Sequence, residues 1–103
     1  MTDQELLELA AKAAGIEIQN AAFSNGPHLV GTLTRWNPLA DDGDALRLAI
    51  ELMLDVLMKD HYTYVLNVPG GLVQAVEKHG KDSHAATRRA IVTAAAQIGV
   101  WKE

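Results

Sequence analysis

The sequence predicts an α+β fold, a mostly antiparallel sheet of four to five strands layered with three helices. Three segments repeat apolar residues at helical spacing, and each is opened by a capping residue or closed by glycine. The segments between them alternate apolar with polar residues or are rich in β-branched and aromatic ones. Neighbouring strand candidates are joined by turns too short for a crossover, which makes the pairs antiparallel. The order is helix, strand, strand, helix, two or three strands, helix, in a single α/β sandwich domain over residues 1–103.

The first helix rests on Leu6, Leu7, Leu9, Ala10, Ala13 and Ala14, with Thr2 and Glu5 spaced as a capping box and Gly15 as a stop. Asp3 and Glu5 stand near its positive end and Lys12 near its negative end. Ile16-Glu17-Ile18-Gln19 and the stretch from His28 to Thr34 then form a hairpin around the turn formers Ser24-Asn25-Gly26-Pro27. Trp36-Asn37-Pro38 closes it, because Pro38 cannot donate to a ladder and holds Asn37 extended.

The second helix starts near Asp41 or Asp42 and carries Leu46, Ala49, Ile50 and Met53 on one stripe, widened by Leu48 and Leu52. Its end is placed near Met53, so that Leu54-Asp55-Val56-Leu57-Met58 is a strand. A helix continuing through Met58 is the alternative and leaves four strands. Lys59-Asp60 turns the chain into the strand from His61 to Asn67, and Val68-Pro69-Gly70-Gly71 turns it again into Leu72–Glu77. The last helix is capped by Asp82 or Ser83, repeats Ala86, Ala90, Ile91, Ala94, Ala95 and Ile98, and stops at Gly99, leaving residues 100–103 to fold back or fray.

Composition narrows the function. The chain is 49% hydrophobic and 21% charged, as folded domains are. A net charge of -4 disfavours a broad nucleic-acid surface, since phosphate neutralisation supplies most of such affinity. With no cysteine there is no disulfide, thiolate metal site or cysteine nucleophile. The acidic start is unlike a secretory signal, and no apolar run approaches the roughly 18 residues of a membrane span, so a cytoplasmic protein is expected, with no membrane partner.

Two segments carry a family resemblance. One is Trp36-Asn37-Pro38-Leu39-Ala40-Asp41-Asp42-Gly43-Asp44-Ala45-Leu46-Arg47-Leu48-Ala49. The other is Ala85-Ala86-Thr87-Arg88-Arg89-Ala90-Ile91-Val92, followed by Ala94-Ala95-Ala96-Gln97-Ile98-Gly99. With Glu5–Gly15 they resemble the phage ABA sandwich domain family, small proteins encoded by phages and prophages. The resemblance implies a sheet between helical layers and a bacterial host cell, and it implies no particular activity. Members tend to break the second helix with a small or turn-forming residue, where this chain has Met53.

Candidate binding residues gather at two helix starts. Asp41, Asp42 and Asp44 suggest a cation, but they lack the ligand ladder of a calcium loop, and capping with an Asp44–Arg47 pair accounts for them. Trp36 and Asn37 offer a ring and an amide to a ligand, although a tryptophan before a proline turn more commonly covers the core. His84, Arg88 and Arg89 form the compact cationic group, with successive arginines about 100° apart on a helix. The commoner reading has one arginine lying over a sheet edge and the other meeting a carboxylate such as Asp44 or Glu77. His28, His61, His79 and His84 show no zinc spacing, and Ser24 and Ser83 sit in no nucleophile elbow.

No catalytic residue, metal or cofactor is therefore expected. The leading reading is a phage or prophage accessory protein that binds a phage or host protein and is a homodimer, because the broad second helix and the sheet leave apolar surface to bury. The alternative is a small-ligand sensor or enzyme with a pocket between the Trp36–Asp44 turn and the start of the last helix, which requires those two helix starts to converge. Nucleic-acid binding is third.

Overall fold

The computed structural model describes residues 1–20, 27–29, 35–67 and 72–101. Its elements are α1 (Asp3–Ala14), β1 (Ile18–Asn20), β2 (Pro27–Leu29), α2 (Asp42–Glu51), β3 (Leu54–Met58), β4 (Tyr62–Asn67), β5 (Leu72–Lys78) and α3 (Ser83–Trp101). The expected turns at 24–26 and 68–71, the strand residues 30–34 and the side chain of His28 lie outside the described residues.

Local chemistry sets the helix boundaries. Thr2 Oγ1 accepts from the Glu5 amide at 3.1 Å while the Glu5 carboxylate takes the Thr2 amide, and Gly15 closes α1 in the left-handed region at φ 71°. Asp41 caps α2 by accepting from the Asp44 amide at 2.8 Å. Asp82 caps α3, taking the Ala85 amide at 2.9 Å. The second helix ends at Glu51, and Met53 makes the reversal into β3 at φ 53°. An L side chain there costs about 1 kcal/mol.

The sheet departs from the expected four to five strands. Among the described residues it has three, in the antiparallel order β3-β4-β5, while β1 and β2 form a separate two-stranded pair. The physical reason is loop closure: strands of three residues joined by a short connection find each other at less entropic cost than they find a sheet assembled from residues 54–78.

The helical layers also differ from a sheet held between helices. Helix α3 is buried on several sides, through Ala86, Ala90, Ile91, Val92, Ala95 and Gly99, because it lies between the sheet and α1. Among the described residues helices cover one face of the sheet, where Thr63, Val65 and Ala75 are buried. The opposite face carries the cross-strand row Leu57, Tyr64 and Val76, with Leu57 and Val76 exposed.

The expected stop at Gly99 is a further correction, since α3 runs on to Trp101. Gly99 serves packing instead of termination. A β-carbon built there would stand 2.8 Å from the Leu9 carbonyl carbon and 3.2 Å from its Cα, with the Leu9 oxygen nearer still. The alanines of α1 and α3 let the two backbones come this close, and glycine is what the closest point requires.

Candidate functional site

The segment before α2 folds on itself first. Asn37 Oδ1 accepts from the Leu39 amide at 3.1 Å, and the Asn37 carbonyl accepts from Ala40 and Asp41. Its own amide donates to Asp44 Oδ2 at 2.9 Å, while Asp44 Oδ1 takes Arg47 at 2.7 Å. The carboxylates of Asp41 and Asp44 are thus occupied by the turn and by Arg47. Trp36, 5% exposed, belongs to the core and presents no free ring.

Asp42 faces outward from this turn and meets the start of α3. Its Oδ1 accepts from Arg88 Nη1 at 2.6 Å and its Oδ2 pairs with His84 Nδ1 at 2.9 Å. Arg88 is the better enclosed partner, and its Nε donates to the Leu39 carbonyl at 2.8 Å, tying the pre-helical turn to α3. The two helix starts converge, as a pocket between them requires. Arg89, one residue on, turns away to Asp3 of α1 at 3.0 Å. The arginine partners are Asp42 and Asp3, not Asp44 or Glu77.

The Arg88 hydrogen bond, then that of His84, holds the Asp42 carboxyl below its ordinary value of 3.8. A carboxyl depressed on folding stabilises the native state above its unfolded value, and that contribution disappears as pH falls through the folded value. Asp42→Asn is expected to lower Tm slightly near pH 7 and to converge with the parent as pH falls below 3.8. Tm measured against pH at low salt, where exposed pairs are least screened, checks this.

Beneath Asp42 and His84 opens a pocket of about 400 Å³. Leu46, Val56, Met58 and Ile91 make its wall, and Thr87 and His79 supply its polar floor. Thr63 Oγ1 lies 2.8 Å from His79 Nε2 and 2.8 Å from Thr87 Oγ1, and His79 Nδ1 lies 3.3 Å from the Asp60 carbonyl. A carbonyl only accepts, so the contact with Asp60 puts a proton on Nδ1; in the neutral imidazole Nε2 then accepts from Thr63, and Thr63 accepts from Thr87. The fully buried Thr63 hydroxyl is satisfied by this chain.

Thr63, His79 and Thr87 were not among the sequence candidates. Thr63 shares strand parity with Val65, so a polar residue on the inward face was the available signal. Among the described residues no group of His, Cys, Asp or Glu is placed to hold a metal ion, and no helix is long and apolar enough to cross a membrane.

The other prominent surface is apolar. Leu46 and Ile50, one helical turn apart on α2, and Met53 in the reversal that follows it are 60%, 64% and 77% exposed. Leu46 lines the pocket together with Val56 and Met58 of β3, an edge strand of the three-stranded sheet, Met58 is 68% exposed, and Met53 directly precedes that strand.

No family model, curated protein or solved structure matches this chain.

Proposed function

We propose that the chain is a non-catalytic interaction module that works as a homodimer, an accessory protein of phage or prophage origin acting on a phage or host protein in the cytoplasm of a bacterial cell. One observation carries the binding part: the exposed band of Leu46, Ile50 and Met53 leading into the edge strand β3. Contiguous apolar surface of this kind marks interaction sites in soluble proteins. The strained backbone of Met53 supports it, since glycine would relieve φ 53° and a side chain is kept there nonetheless. The resemblance to the phage ABA sandwich family supports the origin.

Met53→Gly separates folding from association. It is expected to raise the stability of the isolated subunit by about 1 kcal/mol. The same change is expected to weaken self-association at least about tenfold, because an exposed methionine no longer becomes buried. Thermal unfolding at low concentration and sedimentation equilibrium read the two effects, and unchanged association counts against the band as the interface.

A second reading has its own observation, the 400 Å³ pocket with an apolar wall and the Asp42–His84–Arg88 lip. It suits a small apolar ligand with a polar head. A defined adduct retained in native mass spectra supports it.

A further inference from the structure

We propose that two copies join edge to edge through β3, antiparallel about a two-fold axis at Leu57, and that Met58 of the partner subunit completes the wall of each pocket. The inference rests on the homodimer reading and specifies its geometry.

Among the described residues no strand pairs with the outer edge of β3, and that edge dictates which residues can pair. The Lys59 amide donates to the Tyr62 carbonyl at 2.8 Å. Backbone groups alternate in direction along a strand, so Lys59, Leu57 and Asp55 turn theirs toward β4, while Leu54, Val56 and Met58 turn theirs toward the open side. A new antiparallel neighbour must therefore match outward residues with outward residues. For two identical strands the symmetry axis then passes through one residue, and every side chain keeps its face of the sheet.

Charge selects among the remaining registers. An axis at Asp55 sets that carboxylate against its own copy. One at Val56 sets Asp55 against leucine, and one at Met58 sets Leu57 against lysine. With the axis at Leu57, Asp55 faces Lys59 of the partner subunit on both sides of the axis, and Leu57 packs on the partner's Leu57. Asp55, Leu57 and Lys59 are all exposed on the uncovered face, so acid, leucine and base form a self-complementary row. These are the non-hydrogen-bonded positions, where facing side chains come closest.

On the helix-covered face Val56 exchanges both backbone hydrogen bonds with Met58 of the partner subunit, and Met58 does so with the partner's Val56. Val56 and Met58 already line the pocket with Leu46. The partner's Met58 arrives beside Val56 and extends that wall. The product is one continuous six-stranded sheet, twice the three-stranded sheet of a subunit, with the edge that invites indiscriminate pairing closed.

The test uses the full chain and two charge reversals, Asp55→Lys and Lys59→Asp, on exposed side chains. Each alone sets like charges across the axis twice and is expected to weaken the dimer at least about tenfold by sedimentation equilibrium, with Tm of the subunit unchanged. Mixed in equal amounts, the two variants are expected to form a heterodimer as tight as the parent dimer, since every facing pair is again opposite in sign. If both variants dimerise as the parent does, or if they dissociate and do not recombine on mixing, the β3 pairing is overturned while the homodimer reading stands. If the parent chain is monomeric throughout, both fall.

Discussion

Gly99→Ala is expected to destabilise the fold by about 2–3 kcal/mol, the cost of forcing a methyl group into a close-packed contact. Helix propensity alone predicts the opposite sign, because alanine is favoured over glycine inside a helix by about 1 kcal/mol. The structure decides between them. The added carbon would meet the Leu9 backbone, which cannot rotate away as a side chain can, so α1 and α3 would have to separate along their alanine-rich contact. For a domain of this size the change corresponds to a fall in Tm of about 10–20 °C. A Tm equal to or above that of the parent would mean that α1 does not sit on α3 at this point.

The second large effect is at Trp36. Truncation to alanine is expected to cost about 3–5 kcal/mol, as for other large aromatic side chains removed from a core. That is a large share of the roughly 5–15 kcal/mol that holds a domain folded. Trp36 is 5% exposed and belongs to the same buried core as Leu6, Leu7, Leu48 and Ala49, so the loss falls on folding. Urea unfolding followed by far-ultraviolet circular dichroism measures it. A Trp36→Ala variant with a parental midpoint would return the ring to the surface as a ligand platform.

What could be read from the sequence was local. The capping box of Thr2 and Glu5 and the Asp44–Arg47 pair each span one helical turn and stand in the structure where spacing put them, and the caps fall on Asp41 and Asp82, the first of the two residues that the sequence offered for each. The strand Leu54–Met58 was legible from its position after a helix that had run its length. Gly99 was misread because glycine carries one local signal for two uses, ending a helix and admitting a neighbouring backbone, and only the crossing with α1 tells them apart.

The sheet was misjudged for a related reason. Alternation and an intervening turn paired β1 with β2 as the hairpin that the structure shows, but nothing in either segment says whether that hairpin joins the sheet of β3, β4 and β5. At the candidate site, helical geometry foresaw that Arg88 and Arg89 diverge. That Asp42 is the carboxylate receiving both Arg88 and His84 depends on how α2 and α3 pack, and no spacing within either helix encodes it.

Sedimentation equilibrium of the unmodified chain over a wide range of concentrations tests the homodimer most directly. A reversible monomer–dimer equilibrium with the dimer prevailing at high concentration is the predicted result. A single species at the subunit mass of 11.1 kDa across the whole range would contradict it.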